Sequence, residues 1–334
     1  MVSTGGFYLE IWPQGAEVLV DNEVKDKTNL FSNQILIQGL SPKKYSVLVE
    51  KDDYFPWQKT LEVGDNEITR VENITLIKKK IIFDDINKDI NDFPSNSPSP
   101  EEIFFIKDNN LYPADLPAGQ AGQKDLAIIE NLLSYRIYNN EIYWLSDSGF
   151  LNRSTISGKE ISILNKIAFP VKNAAYKIFI FPNSIFLKEG NDLYLLNPAK
   201  KTFEKFYSPI NNIKLSPDGS KMVFFNDYEI FYSDSTDLSE KIFLHRFSEK
   251  ISDCFWLNNN YLIFNTGNKI KISEIDTRDK INMVDLPDNI LLADNTYFEL
   301  KSPKISWDET NKKLYILDQN NLFLSEQITD RTNN

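Results

Sequence analysis

The chain holds one cysteine and one histidine in 334 residues. A single thiol, Cys254, forbids an intrachain disulfide and leaves the redox compartment open. It falls in the strand-like run Ile251-Ser-Asp-Cys-Phe-Trp256 and reads as a buried, inert thiol. A single imidazole, His245, rules out a multi-histidine metal site. No run of ~18 apolar residues occurs, so the sequence offers no membrane-spanning helix. Basic charge is also short. The balance of 37 Lys and Arg against 48 Asp and Glu, a net of -11, disfavours nucleic acid and an anionic membrane surface as partners. There is no Walker loop, no dinucleotide fingerprint and no Gly-x-Ser-x-Gly elbow, and nothing implies a cofactor.

What is present is β-forming material. Hydrophobic residues make up 41% of the chain and aromatics 13%, mostly Phe and Tyr, which suit pleated, half-buried surfaces. From residue 103 one pattern repeats six times: an apolar run, a tight polar turn, and a second apolar run. The copies begin at Ile103, Ile142, Ile185, Met222, Leu262 and Leu314, and in each the second run starts eight residues after the first. A period near 40 built from hairpins predicts propeller blades, whose small sheets bury their faces only by stacking on neighbours.

Residues 7 to 77 are organised differently. Strands are expected at Phe7-Tyr-Leu-Glu-Ile-Trp12, Glu17-Val-Leu-Val-Asp21, Ile35-Leu-Ile-Gln-Gly39, Tyr45-Ser-Val-Leu-Val-Glu50, Thr60-Leu-Glu-Val63 and Ile68 to Ile77, with a polar turn at Asn22 to Lys25. Such a piece is a small all-β sandwich. The turn Pro13-Gln14-Gly15-Ala16 after Trp12, and the stretch Gly39-Leu-Ser-Pro-Lys-Lys-Tyr45 with Tyr54-Phe-Pro-Trp57 beyond it, resemble the PEGA domain. Lys43 and Asp53 stand where that family often has Gly. The resemblance implies a prokaryotic cell-envelope module with no catalytic role. Trp12, Tyr54, Phe55 and Trp57 read as core and capping anchors, the alternative being an exposed aromatic cluster that recognises a glycan or protein.

The repeats resemble TolB-like and WD-repeat-like propellers. The clearest hallmark is Ser216-Pro217-Asp218-Gly219, where Pro presets φ, Asp can bond the backbone and Gly accepts positive φ. The last copy lacks a fourth strand, and the run around Ile81 to Phe83 is expected to supply it. The Gly/Pro/Ala/Gln-rich segment 113–124 reads as an insertion, and the acidic segment 84–92 as a solvated linker. Asp85, Asn87 and Asp89 imitate a calcium loop, but Ile90 and Asn96 fall where it needs Gly and Glu.

The expected architecture is all-β, with residues 1–78 a PEGA-like β-sandwich and 79–328 a six-bladed β-propeller in which 80–84 close the last blade. Residues 329–334 are expected to form a disordered tail. The expected function is a non-enzymatic envelope scaffold with protein or a cell-surface polymer as partner and no metal or cofactor. The alternative is a propeller glycoside hydrolase with a carboxylate pair. With the first strand opening at Phe7 and no signal peptide legible, the expected location is extracytoplasmic, anchored by a helix upstream of the residues given. The alternative is cytoplasmic.

Overall fold

A computed structural model describes residues 3–28, 32–93, 104–113 and 127–329. Every regular element among them is a β-strand, and none is a helix. The chain divides into two compact units: residues 1–93 with 214–334, and residues 94–213.

The first unit begins with seven strands in two sheets. Gln34–Leu40, Gly5–Trp12 and Ile68–Thr75 form one, with the central strand antiparallel to the first and parallel to the last. Glu23–Lys27, Glu17–Val20, Lys43–Glu50 and Trp57–Val63 form the other, antiparallel throughout. Both sheets contribute to one buried cluster that includes Phe7, Leu9, Ile11, Val18, Ile37, Val47, Trp57, Leu61 and Val71. Alternation explains the arrangement, because each strand turns every second side chain inward. In Trp57–Val63 the buried residues are Trp57, Lys59, Leu61 and Val63. The sequence at 22–25 reads as a turn, yet Glu23–Lys27 is a strand. Its side chains are all exposed, so the hydrophobic pattern carries no trace of it.

The rest of this unit holds two four-stranded antiparallel meanders and one six-stranded sheet. The meanders run from Asn212–Leu215 to Ile242–Arg246 and from Ile251–Asn258 to Met283–Asp285. Each has the form of a propeller blade. The six-stranded sheet runs in the order Tyr297–Glu299, Asn289–Leu292, Ile82–Lys88, Asn321–Ser325, Lys313–Asp318, Lys304–Asp308. Ile82–Lys88 pairs antiparallel with Asn321–Ser325, from Phe83 opposite Ser325 to Lys88 opposite Asn321. Residues 84–88, read from their acidity as linker, are therefore strand. Their side chains face solvent while their backbone is paired. On its other side Ile82–Lys88 runs parallel to Asn289–Leu292, which forms a hairpin with Tyr297–Glu299 that the repeat does not anticipate.

The second unit contains the pair Phe104–Lys107 and Asn110–Pro113, and two four-stranded meanders. These run from Leu132–Tyr138 to Ser162–Ile163 and from Tyr176–Phe181 to Thr202–Tyr207. Phe169 gathers Tyr176, Tyr194 and Phe203 edge-to-face about its ring. Residues 114–126, most of the expected insertion, lie outside the described residues, as do 94–103 and 330–334. Thr329, expected in the tail, is buried.

Candidate functional site

The turn that follows the first strand is built from residues of set geometry. The Trp12–Pro13 bond is cis, and Gly15 sits at φ +80, a conformation costly to a residue with a Cβ. The Thr28 N–H donates to the Ala16 carbonyl at 2.9 Å, and the Thr28 hydroxyl accepts from the Ala16 N–H at 2.9 Å. Across from this turn the chain reverses at 51–54. Asp53 adopts φ +66 at the position where Gly is common, which an Asp tolerates, and its carbonyl accepts from the Lys79 N–H at 2.8 Å. Lys43 does not take a positive φ; it opens a strand opposite Val63.

Lys51 joins the two turns. Its Nζ donates to the Gln14 carbonyl at 2.6 Å and lies 5.3 Å from the centre of the Tyr54 ring. Between the turns opens a cleft of about 450 Å³. Its acidic lining is Glu17, Glu50, Asp52 and Asp53; its basic lining is Lys27, Lys51 and Lys79, with Gly15, Tyr54 and Pro56 completing the wall. Seven charges of both signs around one aromatic ring suit a polar ligand held by hydrogen bonds. Among the described residues no Ser, Thr, Cys or His lines the cleft.

Trp57, the last aromatic of that sequence motif, is elsewhere. It is 2% exposed and its Nε1 donates to Glu274 Oε2 at 2.7 Å. Two residues on, Lys59 is wholly buried and pairs with Glu274 Oε1 at 2.7 Å. The Lys59 ammonium also donates to the carbonyls of Asp276, Arg278 and Lys280 at 2.9, 2.7 and 2.7 Å. Asn282 donates to Glu274 from its backbone and its amide, both at 2.8 Å. The Thr60 N–H reaches Asp279 at 2.6 Å, Arg278 reaches the Arg70 carbonyl at 2.8 Å, and the Thr75 N–H reaches the Tyr261 hydroxyl at 3.1 Å. Burial beside Glu274 holds the Tyr261 phenol well above its ordinary value. Burial pushes the Asp276 carboxyl up, but its bonds from Arg278 outweigh that and leave it below the usual range. This joint locks the N-terminal body onto the meander 251–285. Lys59 is its key, and its signal in the sequence is a lysine inside an apolar every-second-residue stripe.

The Ser216-Pro217-Asp218-Gly219 turn is held by its own side chains. Ser216 Oγ donates to Asp218 at 2.7 Å and accepts from the Lys221 N–H at 2.9 Å. Gly219 takes φ +72. Burial raises the Asp218 carboxyl, yet bonds from Ser216 and Ser220 bring it below its usual value. His245 lies 2.6 Å from Ser273 Oγ. That hydroxyl donates to the Glu274 carbonyl at 2.8 Å, so the imidazole donates to it, the reverse of a base activating a nucleophile. Burial, with Lys271 nearby, depresses the His245 pKa to about 4. Burial pushes the Cys254 thiol far up.

The buried carboxylates among the described residues are Glu189, Glu274 and Asp318. Each is committed: Glu189 to Lys172 and the Tyr176 hydroxyl, Glu274 to Lys59, Asp318 to the N–H groups of Lys301 and Ser302. No group of three or more His, Cys, Asp or Glu among the described residues could hold a metal ion.

No family model matches the sequence, and no curated protein matches it. Similar solved structures include a catalytically inactive virginiamycin B lyase from Staphylococcus aureus with quinupristin, at 16% identity over 66% of this chain and 85% of that one, TM-score 0.36. YCF48 bound to D1 peptide shows 13% identity over 98% of this chain and 94% of the other, TM-score 0.38. A selenomethionine-substituted virginiamycin B lyase from Staphylococcus aureus shows 14% identity over 74% and 99%, TM-score 0.35. Likenesses of this degree assign no activity or ligand to this chain.

Proposed function

We propose that this chain is a non-enzymatic scaffold of a prokaryotic cell envelope. In this reading the N-terminal body is a PEGA-like sandwich and the meanders form one six-bladed propeller, closed by the pairing of Ile82–Lys88 with Asn321–Ser325. The sandwich presents the cleft between the Pro13–Ala16 and Lys51–Tyr54 turns to a protein or a cell-surface polymer. The observation that carries the reading is the joint at Lys59 and Glu274. A buried ion pair with every partner satisfied fixes one body on another, which a platform needs in order to hold a recognition surface in a set orientation. Glu189, Glu274 and Asp318, each held by structural partners, are not free to serve as the acid and base of the alternative hydrolase, which need to meet substrate.

The test is capture from envelope extract with the full chain immobilised. A retained partner should be lost when Tyr54→Ala and Lys51→Glu alter the cleft, while the melting temperature changes little. Release of reducing ends from envelope polysaccharide, abolished by substituting a carboxylate, would support the hydrolase and overturn the scaffold.

A further inference from the structure

A net charge of -11 is an average, and the second unit departs from it. Between Leu151 and Lys205 stand nine Lys or Arg against four Asp or Glu, a net of +5. In the same stretch lie four isoleucines that folding leaves in water: Ile156 at 37% exposure, Ile161 at 61%, Ile163 at 58% and Ile167 at 66%. They line the outer edge of one meander, from Ile156 beyond one end of the strand Leu151–Thr155 to Ile167 near its other end. Ser162–Ile163 is the outermost strand of its meander and pairs with Asn152 and Arg153. Alternation turns Ile161 and Ile163 to the same side. Ile156 belongs to the turn that closes with the Thr155 N–H on the Lys159 carbonyl at 2.9 Å. The Lys166 N–H bonds the Lys201 carbonyl at 2.7 Å, which brings the 197–201 turn alongside. Lys159, Lys166 and Lys201 are exposed and enter no ion pair among the described residues.

We propose that this edge, with Ile156, Ile161, Ile163 and Ile167 along it, Lys159 toward one end, Lys166 and Lys201 toward the other and Glu160 the one exposed acid between Lys159 and Lys166, docks on an anionic lipid surface. Edge strands are ordinarily guarded by shortness and charge. The strand here is short and the charge present, yet branched alkyl groups also stand exposed, which guarding does not require. Apolar tips among unpaired cations match the two layers of an anionic bilayer, acyl chains below and phosphates above. A protein partner is gripped by anchors in packed pockets. These isoleucines instead stand on a turn (Ile156), on the two-residue strand and the residue before it (Ile163 and Ile161) and on a bend (Ile167), among Ser157, Ser162 and Lys166.

The test is co-sedimentation of the full chain with vesicles. It should pellet with equimolar phosphatidylglycerol and phosphatidylcholine, remain in solution with phosphatidylcholine alone, and be released by about 1 M NaCl, where the Debye length is about 3 Å. Lys159→Gln and Lys166→Gln should each weaken binding about fivefold, and the Ile161→Ser/Ile163→Ser pair about tenfold or more. These positions are exposed, so unchanged thermal melting identifies folded variants. Failure of the wild type to pellet with anionic vesicles overturns the proposal and leaves an acidic protein as the patch's partner. So does equal pelleting of the folded isoleucine variant.

Discussion

Lys59 is a charged residue in an apolar stripe, and its environment accounts for it. Three ammonium protons are shared among four acceptors, one carboxylate and three carbonyls, and the carboxylate also accepts from Trp57 and Asn282. Such a pair adds little net stability when whole and is costly when halved. Lys59→Met should therefore lower stability by about 3–5 kcal/mol. The Lys59→Met/Glu274→Leu double variant should lose much less than the sum of the two single variants, which a denaturation cycle would read. His245 gives a second residue-scale test. Its folded pKa lies near 4 against about 6.5 unfolded. The unfolded state therefore binds the extra proton first, and stability falls as pH drops from 6.5 toward 4. Between pH 7 and 5, before most carboxylates titrate, urea unfolding should show a loss of about 1–2 kcal/mol. His245→Gln should flatten that slope; an unchanged slope would put its cause elsewhere. At this scale the sequence was only half readable. The turns at Pro13–Ala16 and Ser216–Gly219 follow from local backbone chemistry, whereas Lys59 finds its partner more than 200 residues away.

The strand Ile82–Lys88 shows how far periodicity reaches. Its apolar start is visible in sequence, but residues 84–88 are polar and exposed, and only backbone pairing makes them strand. Side-chain pattern cannot report a strand whose two faces are both wet. The hairpin Asn289–Leu292 and Tyr297–Glu299 leaves no trace in the repeat for a related reason: it adds to a sheet outside that pattern. Because Ile82–Lys88 has a neighbour on each side, proline there should be damaging. Asp84→Pro places a residue without an N–H opposite Leu324 and should lower stability by several times as much as Asp84→Thr, which preserves the ladder. Equal thermal shifts for the two variants would mean that this pairing contributes little.

Over the whole molecule, charge and hydrophobicity are distributed rather than uniform. An acidic chain carries a basic stretch in its second unit, and a body with its own core is tied to a neighbouring meander by polar contacts. Composition gave the all-β class and the average charge; it could not give the joint, since polar contacts across distant segments leave no periodic trace. The N-terminal body and the meander 251–285 should behave as one piece. Hydrogen exchange of the full chain, read over strands 57–63 and 269–274, tests it most directly. In the wild type both segments should exchange with the same slow protection, and Lys59→Met should make both faster together. If strand 57–63 exchanges independently of 269–274 in the wild type, and Lys59→Met alters neither relation, the two are not held as one and the scaffold loses its basis.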